Sequence, residues 1–548
     1  MTNAAASSPA APAPGAWAPL GQPTFRALWL AILAGNIGTW MHDVAAAWVM
    51  TDLTGSPLMV AAVQAATTLP VVVLALAAGA LADIVDRRRY LIVAQLWMAS
   101  VAALLAVLAQ AGQVGPWTLL TLTFALGVGA AMAMPAQAAT TPELVPRALL
   151  APAVALNSVG MNIARSIGPA LGGLVVARLG ASWAFALNAV SFVAVLVVLW
   201  RWRRAPAPSS LPAETFGGAL RAGLRYAGQA TALRAVLVKA ACFFVFASAL
   251  TALMPVIVRR DLGAGPGTFG LLLGCVGIGA IAGAMLLPRL RGRVDRDTLV
   301  LAASLLYAAC MPAVATFEHL VLLCPVMLLA GVAWIAVLSS LQVAAQTSVP
   351  AWVRARALSL YIVVFSAGMA GGSLIWGALA QRHGSDLALY VAAAGTALAA
   401  LFARRFRLGG TDALDLAPSA HWPEPLVTGP VDGDRGPVLV TVEYRIDAAD
   451  RDTFLRAMRE LGRSRRRDGA VQWGVLEDTA QPGTHLEYFL VPSWLEHLRQ
   501  HARVTGEERR LQDALRALHR GDAAPAVRHF VAGSAHDLAK PGPGHDDI

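Results

Sequence analysis

Residues 79–89 read Gly-Ala-Leu-Ala-Asp-Ile-Val-Asp-Arg-Arg-Arg and lie between two long apolar runs, 57–82 and 90–111. Glycine lets two helices approach closely, and the arginines can pair with carboxylates, helix C-termini or anionic headgroups. A charged loop of this kind can hold two helix bundles together in one conformation and release them in another. A positively charged stop at the membrane face is the alternative. The predicted gating loop consists of Gly79, Asp83, Asp86, Arg87, Arg88 and Arg89.

The same features return in the second half of the chain. Gly79 and Arg87 reappear 204 residues later as Gly283 and Arg291. More matches at this offset join Val145-Pro146, Gly168, Gly173, Arg178 and Gly180 to Val349-Pro350, Gly372, Gly377, Arg382 and Gly384. A constant offset in an apolar chain predicts a duplicated membrane bundle, which is a common architecture of transporters.

The composition is that of a polytopic membrane protein. Of the 548 residues, 57% are hydrophobic and only 14% are charged, and the mean hydropathy is +0.59. Apolar runs of about 18 residues can cross ~30 Å of hydrocarbon. We predict an all-α membrane region of twelve transmembrane helices in two six-helix bundles, at 25–50, 57–82, 90–111, 116–138, 149–178, 181–200, 233–257, 267–288, 298–316, 319–341, 357–380 and 385–403.

The placement of Lys and Arg predicts the orientation. One set of loops holds most of the arginines, whereas the other set holds only Arg178, Arg259, Arg260 and Arg382. The positive-inside rule therefore puts both termini in the cytoplasm of a protein of the cell (inner) membrane. The net charge of +10 follows from this topology, and no nucleic-acid partner is expected.

The chain divides into seven segments. We predict a disordered tail (1–23), an N-terminal bundle (24–202), a central cytoplasmic loop (203–232), a C-terminal bundle (233–407), a linker (408–436), a cytoplasmic domain (437–532) and a tail (533–548). Within 437–532, alternating valines indicate a strand, and helix and strand patterns follow in the order β-α-β-β-α-β. That order predicts an α+β ferredoxin-like domain.

Two motifs resemble those of a known superfamily. The segment 79–89 resembles the loop signature of the major facilitator superfamily, G-x-L-A-D-x-x-G-R-R, with Asp86 in the place of a glycine. In predicted helix 5, 168–173 is similar to the G-P-x-x-G-G signature of antiporters in that superfamily; a pure packing role is the alternative. The residues of this helix-packing motif are Gly168, Pro169, Gly172 and Gly173.

Shorter stretches narrow the resemblance to one branch. Asn36-Ile37-Gly38-Thr39-Trp40-Met41, Thr54-Gly55-Ser56-Pro57 and Ala155-Leu156-Asn157-Ser158 resemble the enterobactin-exporter-like branch, also called the transmembrane secretion effector family. The resemblance covers about residues 20–410. Residues 437–532 are similar to the antibiotic biosynthesis monooxygenase-like domain, which implies dimerisation through its sheet, so a homodimer is among the expected partners.

The resemblance implies a secondary active transporter. It implies export of small organic molecules, siderophore-like or drug-like, in exchange for protons by alternating access. The expected partners are therefore the substrate, protons and the lipid bilayer. A membrane-anchored sensor or enzyme, in which the C-terminal domain binds or oxidises a small ligand, is the alternative.

Charged residues inside predicted spans are candidates for proton coupling, because they are costly in a membrane. Asp43 lies in helix 1 and Arg165 in helix 5, and we expect both to face the transport cavity. They would interact directly or through water or substrate, and protonation of Asp43 would free Arg165. A static structural ion pair is the alternative.

Polar residues in the other spans are candidates for the substrate cavity or for helix–helix hydrogen bonds. These residues are Asn36, Trp40, Gln64, Gln137, Asn157, Asn162, Gln342, Gln346 and Tyr361. No phosphate-binding loop is present in the sequence, so an ion gradient is the expected energy source, with no cofactor. In the C-terminal domain, Trp473, His485, His497 and His501 are candidates for chemistry. Because only His497 and His501 have ligand-like spacing, we predict no metal site and no enzymatic activity.

Overall fold

The computed structural model describes residues 15–202, 230–350, 352–408 and 431–532, with single positions such as Tyr226, His421 and Trp422 between them. Most of the predicted central loop and linker, residues 1–14 and the tail at 533–548 lie outside the described residues, as does the side chain of Asp83. The described residues fall into two compact units. The first contains most of the long helices, and the second contains the C-terminal sheet together with the segments around Tyr226 and Trp352.

Long α-helices make up the first half of the membrane region and then its second half. In the first half they are α1 (Pro23–Leu53), α2 (Pro57–Ile84), α3 (Arg87–Gln110), α4 (Pro116–Leu144), α5 (Leu150–Leu179) and α6 (Ala181–Arg201). In the second half they are α7 (Thr231–Val256), α8 (Pro266–Arg291), α9 (Arg296–Thr316), α10 (Leu320–Thr347), α11 (Arg354–His383) and α12 (Ser385–Ala403). Among the described residues, eleven helices are long and apolar enough to cross a membrane; α1 falls outside this set.

Local sequence signals set the ends of these helices. Proline stands at the first position of α1, α2, α4 and α8, where its missing N–H costs no hydrogen bond. The carboxylate of Asp86 accepts a hydrogen bond from the Arg89 N–H (2.9 Å) and caps α3. Asp295 caps α9 in the same way through the Thr298 N–H (3.0 Å). These caps satisfy N–H groups that a helix leaves unpaired at its start.

The duplication is visible in the packing, but its offset is not constant. A Cβ at Gly173 of α5 would meet the Pro266 carbonyl oxygen and Gly270 of α8, and one at Gly377 would meet the Pro57 carbonyl oxygen and Ala61 of α2. Pro57 and Pro266 begin their helices 209 residues apart, not 204. The five extra residues enter after α7, where a π-helix spans Ile257–Asp261.

The sequence match at the charged loop therefore does not pair equivalent positions. A Cβ at Gly79 would meet open space, whereas one at Gly283 would press against Ile335 and Val332 of α10. The prediction of a constant 204-residue offset is wrong at this point, because the insertion lies between the two matched regions. The helix starts and aspartate caps of α3 and α9 are the equivalent features.

The C-terminal domain is a four-stranded antiparallel sheet with helices. Its elements are β1 (Val438–Arg445), α13 (Arg451–Asp468), β2 (Gln472–Glu477), β3 (Thr484–Val491), α14 (Trp494–Arg503), α15 (Gly506–Ala517) and β4 (Ala526–Val531). The strands lie in the order β2-β3-β1-β4. Every second residue of β1 is buried, and the α13 side chains Phe454, Met458 and Leu461 join the same core. Burial of these apolar faces holds α13 on the sheet.

Candidate functional site

The arginines of the charged loop bind helix ends within the first half. Arg87 forms an ion pair with Glu143 of α4 at 2.7 Å. Arg88 donates to the carbonyl oxygens of Leu199 and Trp200, at 2.8 and 2.7 Å, at the end of α6. The C-terminus of a helix carries partial negative charge, so a guanidinium there is favourable. The described contacts of the loop thus tie α3 to α4 and α6.

The Gly168–Gly173 motif packs α5 on two sides. A Cβ at Gly168 would meet Trp40 of α1 at 2.5 Å, and one at Gly172 would meet Met41 of the same helix at 2.8 Å. On the other side, a Cβ at Gly173 would lie 2.7 Å from the Gly270 Cα of α8. The motif therefore joins helices inside the first half and also joins the first half to the second.

One end of the interface between the halves is closed by polar contacts. Asp52, at the end of α1, forms an ion pair with Arg259 at 3.0 Å. The Ser56 hydroxyl donates to the side-chain oxygen of Gln381 at 2.5 Å, and the Arg259 guanidinium lies 5.5 Å from the centre of the Trp48 ring. Where both partners are described, the hydrogen bonds and ion pairs between the halves all lie here. We call this the closed end.

A cation sits between the halves farther along the interface. The Arg165 guanidinium of α5 lies 5.8 Å from the centre of the Trp40 ring of α1. It also interacts electrostatically with Tyr361 of α11, whose hydroxyl donates to the Leu338 carbonyl oxygen at 3.3 Å. The structure thus brings three of the predicted site residues together and links both halves through them.

The structure does not contain the direct ion pair between Asp43 and Arg165. Asp43 is half-buried in α1, and within the described part of the chain no ion pair joins it to Arg165. Arg165 instead lies against Trp40, which is three residues from Asp43 and so points to a different side of the helix. A link through water or substrate stays a prediction.

The remaining predicted cavity residues separate into two groups. The Asn157 amide donates to the Thr141 hydroxyl of α4 at 3.0 Å, so it forms a helix–helix hydrogen bond. The second group has incompletely buried side chains that make no hydrogen bond to another described residue: Asn36, Gln64, Gln137, Asn162, Gln342 and Gln346. Polar groups that lack a protein partner inside a membrane region are available to water or ligand.

An aromatic cluster in the second half was not predicted. Ring centres lie 4.6 to 6.5 Å apart among Phe243, Phe244, Tyr307, Trp334 and Phe365. Trp334 and Phe365 are partly exposed, and Phe365 lies one helical turn from Tyr361. The sequence did hold one signal, because Phe244 follows Trp40 by 204 residues. Only helix packing shows that four helices bring the other rings to it.

A buried histidine beside Asp43 was also missed. His42 is only 2% exposed, and its ring centre lies 4.9 Å from that of Phe185 on α6. Neither ring nitrogen has a hydrogen-bond partner among the described residues. The search for carboxylates inside predicted spans passed over this neighbour, although an ionisable side chain at such a depth is a functional candidate.

Two of the four candidates in the C-terminal domain are structural. Glu487 of β3 is fully buried and forms an ion pair with Arg465 of α13 at 3.0 Å. The Trp473 indole N–H donates to the same carboxylate at 3.1 Å. His485 packs against Phe454 in the core, with ring centres 5.2 Å apart. These contacts account for Trp473 and His485 as parts of the domain interior.

The other two candidates belong to a cluster of three histidines. His497 and His501 of α14 have their Nε2 atoms 3.2 Å apart, and His529 of β4 completes a group whose nitrogens all lie within 4.8 Å of one another. Burial lowers the pKa of His497 to about 3 and that of His501 to about 4. Burial also lowers the pKa of His529. All three imidazoles are therefore neutral near pH 7.

The C-terminal domain contacts two segments near the ends of membrane helices. The Arg503 guanidinium, at the end of α14, lies 4.4 Å from the centre of the Trp352 ring, between α10 and α11. Arg467 of α13 lies 5.5 Å from the Tyr226 ring. The Tyr226 and Trp352 rings themselves meet edge to face at 5.7 Å. We call these four residues the docking contact.

Duplicated helical halves that meet along glycine-lined helices, with polar side chains between them, define a transporter of the major facilitator superfamily type. A solved bacterial homologue of the human lysosomal transporter Spinster, in an inward-facing and unoccupied conformation, has this fold: the TM-score is 0.55 at 14% identity, over 71% of this chain and 96% of that one. The chain belongs to the transmembrane secretion effector family, whose model matches residues 14–537. It is a multi-pass membrane transporter.

Two curated relatives are transporters. A multidrug efflux pump, Tap, of Mycolicibacterium fortuitum is 27% identical over 400 residues, which cover 70% of this chain and 96% of Tap. The staphyloferrin A transporter of Staphylococcus aureus is 25% identical over 294 residues, which cover 52% of this chain and 72% of that protein.

Proposed function

We propose that this protein is a proton-coupled exporter of small amphipathic organic molecules that works by alternating access. The observation that carries the proposal is the polar site between the halves, where Arg165 lies against Trp40 and Tyr361. The proposal adds α1 as a twelfth membrane span and places both termini in the cytoplasm. Relatives named for multidrug efflux and for a siderophore support a small organic substrate.

In this proposal the closed end faces the outside. The closed-end residues Arg259 and Gln381 belong to loops and helix ends that the positive-inside rule assigns to the outer side. The opposite end, where Arg87 and Arg88 bind within the first half, would then open to the cytoplasm. An exporter in this conformation is ready to take substrate from inside the cell.

The chemistry around the site supports an amphipathic substrate. The Arg165 guanidinium can pair with an anionic group such as a carboxylate. One helical turn from its partner Tyr361, the partly exposed rings of Phe365 and Trp334 offer an apolar surface. A substrate with an acidic group and an aromatic or aliphatic body would contact both.

The proposed coupling uses the two charges on α1 and α5. With the outer side open, Asp43 would take a proton, and substrate would leave Arg165. With the inner side open, as here, Asp43 would release the proton, and Arg165 would be available for the next substrate. Each half-cycle then moves one charge state and one cargo, which is the requirement for exchange.

Replacement of Asp43 tests this coupling. In Asp43→Asn the side chain cannot bind and release a proton, so we expect substrate uptake into everted vesicles to lose its dependence on an imposed pH gradient. Asp386→Asn, which changes an exposed carboxylate at the start of α12, serves as the control. Uptake should be measured with a protonophore and normalised to the amount of protein in the membrane. Gradient-driven uptake that is equal in Asp43→Asn and the wild type would oppose the proposal.

We infer further that the C-terminal domain is a ferredoxin-like regulator rather than an enzyme. The strand order β2-β3-β1-β4 and the helix on one face support that fold. The structural roles of Trp473 and His485 leave them without free chemistry. The docking contact favours a regulatory role, because it joins the domain to the segment between α10 and α11. Dimerisation through the sheet stays a prediction.

Two arginines of α14 give a matched test of this regulation. Arg499 and Arg503 both pair with Glu496, at 3.6 and 2.6 Å, and Arg503 also lies over Trp352. We expect Arg503→Ala to raise the export rate, because the segment that contains Trp352 would move more freely, while Arg499→Ala leaves it unchanged. Initial rates in vesicles measure this effect. Equal rates in the two variants would contradict a regulatory contact.

A further inference from the structure

We propose that His497, His501 and His529 form a binding site for a divalent transition-metal ion such as Zn²⁺ in the C-terminal domain. The inference concerns the domain alone and does not depend on the transport mechanism. Three imidazoles that converge from a helix and a strand form the ligand set, and water can supply a fourth ligand.

The geometry of the first two ligands already matches a metal site. His497 and His501 stand four residues apart on α14 and so project from the same face. With Zn–N bonds of 2.0–2.1 Å and tetrahedral angles, two ligand nitrogens lie about 3.3 Å apart. The observed distance between the two Nε2 atoms is 3.2 Å. Neither side chain needs to move far to bind the same ion.

His529 approaches from the sheet. It lies on β4 opposite Val440 of β1, and its ring centre is 4.8 Å from that of His497. The nitrogens of all three residues lie within 4.8 Å of one another. An ion would draw the third imidazole inward by about 1 Å, which a side chain on the partly exposed strand β4 can do. The strand side of the site is also the route by which an ion can enter.

Unpartnered polar atoms surround the cluster. His497 is 1% exposed, as is Gln500 on the next turn of α14. The His497 Nδ1 atom and both polar atoms of the Gln500 amide have no hydrogen-bond partner among the described residues. A histidine that binds metal through Nε2 donates its other N–H to a nearby acceptor, and Gln500 can supply that acceptor. Metal binding would therefore satisfy groups that are otherwise costly to bury.

The composition of the site selects the class of ion. Neutral imidazoles suit zinc, copper, nickel and iron, whereas magnesium and calcium prefer carboxylate oxygens. The nearest cation, Arg465, opposes a metal ion, but its charge is balanced by the buried Glu487 carboxylate at 3.0 Å. The Trp422 ring packs edge-on against His501, with ring centres 4.8 Å apart, and limits water around the site.

Metal binding by the purified full-length protein, in detergent and without a histidine tag, tests the inference. Titration with Zn²⁺ should show one high-affinity site per chain, and Co²⁺ should give the visible absorption of a tetrahedral complex. We expect His501→Gln and His529→Gln each to weaken Zn²⁺ binding by at least about tenfold and to abolish that absorption. His319→Gln, which changes an exposed histidine before α10, should bind as the wild type does.

Each outcome decides the question. His529 lies on the partly exposed strand β4, so His529→Gln keeps the test valid if His501→Gln disturbs the packing of α14. Circular dichroism and gel filtration verify that the variants are folded. Absence of stoichiometric binding in the wild type, or equal affinity in the wild type and both cluster variants, would overturn the inference. Neither outcome bears on export, which the vesicle assay measures separately.

Discussion

Gly173→Leu should prevent the closed end from forming and abolish export. A Cβ at this position would already lie 2.7 Å from the Gly270 Cα and 2.7 Å from the Pro266 carbonyl oxygen of α8. Both are backbone atoms, so no side chain can move aside to make room. Overpacking of this kind costs about 1–3 kcal/mol, which corresponds to a shift of about 5- to 150-fold between two conformations. The population should move toward the state in which this end is open.

Cysteine accessibility measures this shift directly. A cysteine placed at Ser56, which contacts Gln381 at the closed end, should react faster with a membrane-impermeant maleimide in the Gly173→Leu background. The free cysteines Cys242, Cys275, Cys310 and Cys324 would first be replaced by serine. Gly371→Ala is the control, because a Cβ there meets nothing within 4 Å. Unchanged labelling together with normal export would show that the α5–α8 contact is not part of the transport cycle.

Glu487→Gln should unfold the C-terminal sheet far more readily than a similar change on the surface. The substitution leaves Arg465, which is 8% exposed, without its counter-charge. Removal of one partner from a buried ion pair costs about 3–5 kcal/mol, because the remaining charge stays away from water. The Trp473 indole N–H also loses a charged acceptor at 3.1 Å.

The surface pair between Arg451 and Glu477 is a close control. Its nitrogen–oxygen distance of 2.9 Å is nearly that of the buried pair, but its side chains are 48% and 39% exposed. Exposed pairs contribute little because water screens them, so Glu477→Gln should change little. Hydrogen exchange of the β1 and β3 amides in the full-length protein reads out the difference as faster exchange in Glu487→Gln alone. Similar exchange in both variants would show that burial does not control the strength of the pair.

Short-range patterns carried most of the fold. Apolar runs of membrane length predicted positions for the helices, and the valines of β1 with the stripe of α13 predicted the first strand and helix of the C-terminal domain. Such patterns repeat within a few residues, so a single segment reveals them. The insertion after α7 escaped this reading, because matched glycines at one offset concealed a shift in helix starts.

The candidate site was predictable only in its parts. Trp40, Arg165 and Tyr361 stood out as polar or aromatic residues in spans, and the structure brings them together. The predicted partner of Arg165 was Asp43, but the guanidinium lies against an aromatic face. A spacing rule places residues on one face of one helix, whereas the contacts of that face depend on the rotation of neighbouring helices.

By itself the sequence determined the class of protein: a duplicated apolar chain with arginine-rich loops and a soluble domain at its end. Hydrophobicity and charge act locally and additively, so they can be read along the chain. Only the tertiary structure decided which end is closed, where Arg165 points, and that His529 joins His497 and His501. Those features need residues that are far apart in sequence to meet in space, and packing alone determines such meetings.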